Sequence, residues 1–282
     1  MRPRLHQNSS RSHGQIGYSS ASPMVPNTHR PYSLLARFYD RLMPQIPRMN
    51  RHARAKVLGR ILPRIHSVCD LGCGTGHTSL DFARRGLEVF VVDNSPGMCR
   101  LARERARRAR LPVRVLRADM RRFRLPKPVD LVTSEFAALN HLRRTDLRAV
   151  VRAVARALRP GGHFYFDVNT PHAFAQARGL IDWTETDDFA LLLRGRYDAR
   201  RRTTWLDFDW FLPAGKRWLR QREHVPHVCW TDAEIRRALR AAGFRAIRSW
   251  DGTRVRPAWI KPHSGHDTYY LARKSIPSGR KR

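Results

Sequence analysis

The stretch Val68-Cys69-Asp70-Leu71-Gly72-Cys73-Gly74-Thr75-Gly76 sets the fold of this chain. A short apolar run with strand character passes without a break into three glycines at alternate positions. Glycines there let the backbone turn tightly and let a ligand come against main-chain N–H groups at the start of a helix. A dinucleotide-binding fingerprint has the spacing GxGxxG. Here the sixth position is His77 and the third glycine comes one residue early, which disfavours NAD and favours a ligand without a pyrophosphate.

Working outward, apolar or β-branched runs alternate with helical stretches: strands about 67–71, 88–92, 113–117, 129–133 and 163–168, helices about 77–85, 95–110 and 145–158. That alternation predicts a parallel sheet with helices on both faces. Gly86 and Pro160-Gly161-Gly162 read as helix stops. Upstream, Leu34, Leu35, Phe38 and Leu42, then Val57, Leu58, Ile61 and Leu62, mark two helices separated by Pro44 and Pro47. Beyond Pro171 the period changes to two over 189–196, 203–212 and 218–228, with Pro213-Ala214-Gly215 as a turn, so an antiparallel insertion laid over the sheet is expected. Thr231 and Glu234 have capping-box spacing for a helix stopped at Gly243, and strands follow near 244–250 and 267–272. The expected organisation is a disordered leader 1–30, N-terminal cap helices 31–66, an α/β core 67–170, an antiparallel β insertion or lid 171–230, resumed core 231–273 and a basic tail 274–282.

The 282 residues carry 55 Lys+Arg against 23 Asp+Glu, a formal charge of +32, and 41 % are apolar. That apolar content excludes a fully disordered or collagen-like chain. Nearly all of the basic excess is arginine, spread along the chain. Compositional drift and selection for an anionic partner both account for it. No run approaches the roughly 20 apolar residues of a membrane helix, and no secretory apolar block opens the chain, so a soluble cytoplasmic protein is expected. The first carboxylate is Asp40, which underlies the reading of 1–30 as a leader, with Met24 an alternative start. Cys69, Cys73, Cys99 and Cys229 lack metal-knuckle spacing and read as free thiols, and no metal site is expected.

The glycine motif and the elements after it resemble the class I S-adenosylmethionine-dependent methyltransferases, strongly over 67–169 and more loosely over 31–66 and 231–273. The resemblance implies a Rossmann-like seven-stranded α/β sheet with S-adenosylmethionine (SAM) across the carboxyl ends of the first strands. It implies that Gly72, Cys73, Gly74, Thr75 and Gly76 form the loop beneath the cofactor, Cys73 lending a backbone N–H and not its thiol. Asp93, with Asn94 after it, stands where the ribose hydroxyls are accepted. Asp119 stands where the adenine amino group is accepted, with Met120 and Met98 at the ring. Asp70 matches the acid that holds the methionine amino group through water, and Glu135 lines the methionine end. Tyr32 and Tyr39 match the helix that closes over that end, with a tyrosine hydroxyl near the carboxylate. Several of these residues also read as ordinary structure: Met98 as helix core, Tyr32 and Tyr39 as helix packing, Asp70 as a turn-former.

Methyl transfer asks little beyond placement, because the sulfonium already activates the methyl group and the nucleophile has only to sit in line about 3 Å away. His141, Asp167 and Asn169 are the candidate catalytic residues near the strand ends, His141 for its titration near neutral pH; each also reads as a cap or turn residue. Thr133-Ser134-Glu135-Phe136-Ala137 matches neither the exocyclic-amine nor the cytosine-C5 nucleic-acid signature after the fourth strand. Trp183, Phe189, Trp205, Phe208, Trp210 and Trp218 fit either the wall of an apolar pocket or plain core. Three readings follow: an N- or O-methyltransferase of a small molecule, which the insertion favours; an RNA-directed methyltransferase using the basic surface; and a SAM-binding protein without catalysis.

Overall fold

The computed structural model describes residues 32, 34–176, 178–257, 259 and 267–276. The expected leader, the Met24 start and residues 277–282 of the expected tail lie outside the described residues. In chain order the elements are α1 (Leu35–Leu42), α2 (Ile46–Leu58), β1 (Ser67–Leu71), α3 (His77–Ala83), β2 (Glu88–Asp93), α4 (Pro96–Arg108), β3 (Val113–Arg117), β4 (Val129–Ser134), α5 (Leu147–Ala157), β5 (Leu158–Asn169) and α6 (Pro171–Gln176). There follow β6 (Ile181–Thr186), β7 (Phe189–Asp198), β8 (Thr203–Ala214), β9 (Arg217–Val228), α7 (Asp232–Ala241), β10 (Phe244–Asp251), α8 (Gly252–Val255) and β11 (Asp267–Lys274).

Seven strands form one sheet in the order β10-β11-β5-β4-β1-β2-β3. β3, β2, β1, β4 and β5 pair in parallel, whereas β11 runs antiparallel to both β5 and β10. This is the expected Rossmann-like α/β sheet. Because side chains alternate across a strand, each central strand feeds two cores. Cys69, Leu71, Phe90 and Val132 pack with Val150, Val154 and Leu239 on one face, while Val68, Val89 and Leu131 pack with Ala53, Leu58 and Phe82 on the other. Each fully buried aliphatic or aromatic side chain contributes about 1.5–3 kcal/mol, so both faces of the sheet hold their helices firmly. Strand order reverses between β1 and β4, and the crevice at the carboxyl ends there is where open α/β sheets take ligands.

A second sheet, β6-β7-β8-β9, is wholly antiparallel. Its inner face takes α1: Leu35 and Phe38 pack against Phe189, Leu191, Phe208 and Trp210. Buried Glu223 of β9 fixes this docking by accepting from Leu34 N at 2.9 Å and Leu35 N at 3.1 Å. Those are open N–H groups at a helix start, and no side chain within α1 caps them. The outer face of the second sheet uses part of the arginine excess, since Asp209, fully buried, accepts from Arg220 at 2.9 Å and Arg222 at 2.8 Å.

Two local expectations are corrected. Pro160-Gly161-Gly162 does not end a helix but lies inside β5, where pairing with β4 jumps from Val129↔Leu158 to Leu131↔His163 and the extra residues bulge out. Pro213 and Ala214 continue β8, so the hairpin turns at Gly215 and Lys216 alone, Gly215 having φ +63°. β6 and α6 were not foreseen.

Candidate active site

The cavity at the carboxyl ends of β1, β2 and β4 has a volume of about 860 Å³. Of the residues singled out from the sequence, Tyr32, Tyr39, Gly72, Gly74, Asp93, Asn94, Met98, Asp119, Met120, Glu135, His141, Asp167 and Asn169 line it. Asp70, Cys73 and Thr75 line a smaller recess beside it, of about 60 Å³, and Gly76 lines neither.

The glycine loop is held by the next strand. Gly72 N donates to Val92 O at 2.7 Å and Gly74 N to Asp93 Oδ2 at 3.1 Å, while Ser95 N donates to Asp93 Oδ1 at 2.8 Å. Each Asp93 oxygen thus takes one N–H and keeps a lone pair for a ligand. Burial raises the Asp93 pKa against the pull of those donors. Gly72, Gly74 and Gly76 all have positive φ, which favours glycine, but their surroundings differ. A Cβ on Gly74 would meet nothing within 4 Å, whereas one on Gly76 would come 3.0 Å from Ala102 Cβ of α4. Gly74 therefore opens onto the cavity, and Gly76 serves helix packing.

Asp70 lies behind the loop, accepting from Ser79 Oγ at 2.6 Å and Thr133 Oγ1 at 3.3 Å, so its carboxylate ties α3 to β1 and β4. Asp119 is bound by Arg121, whose Nε donates at 2.9 Å to both carboxylate oxygens. That partner holds Asp119 below the usual carboxylate range and occupies the group expected to accept an amino group.

Glu135 is the least settled group at the site. Its Oε2 accepts from Arg54 Nη1 at 2.6 Å and Thr78 Oγ1 at 2.8 Å, while its Oε1 is buried with no hydrogen-bond partner. Burial, only partly offset by Arg54, pushes its pKa up to about 7. Arg54 also reaches Asp81 at 2.7 Å and locks α2 to α3. Asp40 of α1 accepts from Thr75 Oγ1 at 2.7 Å and is within 3.2 Å of His77 Nε2, and Arg105 of α4 pairs with it as well. Burial opposes its ionisation, yet these hydrogen bonds outweigh burial and hold its pKa well below the usual range. They fasten α1 across the entrance beside the glycine loop.

At the other end, Asp167 accepts from Phe136 N at 2.7 Å and Ala137 N at 2.8 Å. Both donors have positive φ, 58° and 56°, a conformation that costs a non-glycine residue about 1–2 kcal/mol. Asp167 thereby fixes the strained turn that presents the 3₁₀ segment Ala138–His141. Burial raises its pKa to about 6. His141 is open to the cavity but enclosed by protein, and burial, with His227 beside it, keeps its pKa well below the ordinary 6.5. The Tyr32 hydroxyl lies 2.8 Å from His141 Nε2 and 2.9 Å from Nδ1. Asn140 joins this segment to the ends of β9 and β5, donating to Val228 O at 2.8 Å and accepting from Asn169 N at 3.0 Å.

Of the six aromatics considered for a pocket wall, only Phe208 lines the cavity. Phe189 and Trp210 are core around α1, and Trp183 and Trp218 are about half exposed. Arg54, Phe174, Thr204 and His227 were missed. Thr204 shares the period-two face of Leu206 and Phe208, a signal available in the sequence; Arg54 was hidden among many arginines. Among the described residues no group of three or more His, Cys, Asp or Glu stands ready to hold a metal ion, and no helix is long and apolar enough to cross a membrane.

Residues 68–162 match the family described as Methyltransferase domain. The Bacillus subtilis protein YqeM is 26 % identical over 220 residues, 77 % of this chain and 87 % of that one. A ubiquinone biosynthesis O-methyltransferase of Xanthomonas axonopodis pv. citri is 32 % identical over 51 % of this chain and 62 % of its own length. Among solved structures, SAM-bound CalS10 of Micromonospora echinaspora, an amino pentose methyltransferase, is 25 % identical with a TM-score of 0.61, covering 79 % of this chain and 91 % of that one. Sheet order, glycine loop and these likenesses define the class as a methyltransferase. Residues 68–162 thus carry a methyltransferase domain, and the sheet that holds it has the fold of the class I methyltransferases that depend on S-adenosylmethionine.

Proposed function

We propose that this enzyme moves the SAM methyl group to a nitrogen or oxygen of a small molecule by in-line displacement. The observation that carries the reading is the continuity of one cavity of about 860 Å³ from Gly72, Gly74 and Asp93 to Phe174, Leu206 and His227 on the inserted segments. Ligand pockets commonly hold about 300–1,000 Å³, so this one has room for a cofactor and a modest acceptor together. The small-molecule acceptors in the names of CalS10 and the ubiquinone biosynthesis enzyme support the same class here.

The site fits the cofactor. Space lies open over Gly74, both Asp93 oxygens keep lone pairs, and the orphaned Glu135 Oε1 suits the ammonium of a methionine moiety. When bound, SAM supplies a methyl group already activated by positive sulfur. The chain's work is placement and proton removal. Gly72 and Gly74 allow close approach, Asp93 accepts ribose hydroxyls, and Met98 and Met120 flank the base. Asp167 acts as a positioning residue through the turn it holds. His141, kept neutral, accepts the acceptor's proton on a ring nitrogen, and the Tyr32 hydroxyl, within hydrogen-bond distance of both ring nitrogens, holds the imidazole at this end of the cavity. Asn169 lies beside this end of the cavity.

The test incubates full-length protein with methyl-labelled SAM and a whole-cell extract. Label is expected in a low-molecular-weight product, and His141→Gln is expected to slow its formation about 10²-fold or more. Label confined to RNA would support the RNA-directed reading, and label nowhere a binding protein; either outcome removes this proposal.

A further inference from the structure

The inserted sheet furnishes the cavity wall opposite the glycine loop, and one register position of that wall differs from its neighbours. Leu206 and Phe208 of β8 and Val225 of β9 give it an apolar surface. Thr204 and His227, also on this wall, are direct cross-strand partners. Thr204 is 1 % exposed, and neither its Oγ1 nor His227 Nε2 has a hydrogen-bond partner. Buried polar groups are nearly always hydrogen-bonded, so two open ones side by side on a cavity wall call for a partner that the protein does not supply.

The surroundings narrow what that partner is. The His227 ring meets the His141 ring edge to face, with centroids 4.2 Å apart and planes at 82°, and Phe174 stands 6.3 Å from the His227 ring. Burial pushes the His227 pKa down to about 4, and His141 is depressed too, so neither imidazole offers a cation near neutral pH. Arg256, which also lines the cavity, is paired with Asp267. This corner thus suits a neutral group that both donates and accepts, carried on an apolar frame.

We propose that Thr204 and His227 form an acceptor-recognition subsite that reads an uncharged hydroxyl on an otherwise apolar ring. The hydroxyl donates to one of the pair and accepts from the other. The proposal rests on the methyltransferase reading above, since it takes the end of the cavity beside the inserted sheet as the acceptor end.

The full-length protein, first titrated with S-adenosylhomocysteine and then saturated with it, is titrated with phenol, toluene, aniline and benzoate by ligand-observed NMR. Phenol is expected to bind about 25-fold tighter than toluene, the ratio two net hydrogen bonds of about 1 kcal/mol each give, and benzoate most weakly. Thr204→Val, which keeps the side-chain shape and leaves the His227 bond, is expected to cut the preference for phenol to about fivefold, and Thr204→Ser to retain it in full. Equal binding of phenol and toluene, tighter binding of benzoate, or a preference undiminished in Thr204→Val overturns the subsite. Failure of S-adenosylhomocysteine in the first titration overturns the reading beneath it; its binding without hydroxyl preference overturns the subsite alone.

Discussion

Gly74 and Gly76 stand two residues apart with similar backbone angles, φ +54° and +83°, yet alanine at each is expected to fail differently. At either position an L side chain in the left-handed region costs about 1–2 kcal/mol. At Gly74 that is the whole stability cost, because the new methyl meets nothing within 4 Å. A loss of that size lowers the melting temperature of a chain this long by a few degrees, at about 2–4 °C per kcal/mol. The methyl would, however, occupy the open space proposed above for the cofactor, so the affinity for S-adenosylhomocysteine should fall at least about tenfold, or about 1.4 kcal/mol. At Gly76 the methyl would come 3.0 Å from Ala102 Cβ and 3.2 Å from its Cα, both fixed in α4. Overpacking of this kind adds about 1–3 kcal/mol, so Gly76→Ala should cost about 2–5 kcal/mol in total. Scanning calorimetry reads stability and titration calorimetry reads affinity, on both variants. Wild-type affinity in Gly74→Ala would refute the assignment of that face to the cofactor. Equal melting temperatures in the two variants would refute the packing argument.

Two further outcomes follow from buried carboxylates. Glu135 has a pKa of about 7 in the folded protein against an ordinary 4.5, so the folded state holds the extra proton between those values. Stability should therefore fall as pH rises from about 5 to 8, by up to about 3 kcal/mol from this group, while S-adenosylhomocysteine affinity rises over the same window. Glu135→Gln should flatten both trends, which urea unfolding and titration calorimetry at pH 5.5 and 8 will show; unchanged slopes would remove Glu135 from the ammonium site. Glu223→Ala strands the N–H groups of Leu34 and Leu35 and should cost about 2–4 kcal/mol in urea unfolding, and a loss under 1 kcal/mol would contradict the capping role.

Much of the α/β core was legible because local signals agreed with the global fold. The run into Gly72-Cys73-Gly74-Thr75-Gly76 marks a strand, a turn and a helix start within nine residues, and strands of all-buried character such as β4 need helices on both faces. The Thr231–Glu234 capping box is a contact between neighbours in sequence, and it forms as read. What escaped depends on distance along the chain. Glu223 caps a helix almost two hundred residues away, Asp40 finds Arg105 across two helices, and Thr204 meets His227 only through hairpin register. The Pro160-Gly161-Gly162 bulge was misread because turn residues also suit a strand that must shed register. Asp119 looked free at its strand tip, but the arginine two residues on occupies it.

Everything rests on a seat for a nucleoside joined to an amino acid, at the tips of β1 and β2. Titration calorimetry of the full chain with S-adenosylhomocysteine measures that seat directly, and one site per chain is the expected result. No heat from this ligand or from SAM on well-folded protein, with heat from NAD instead, would contradict it.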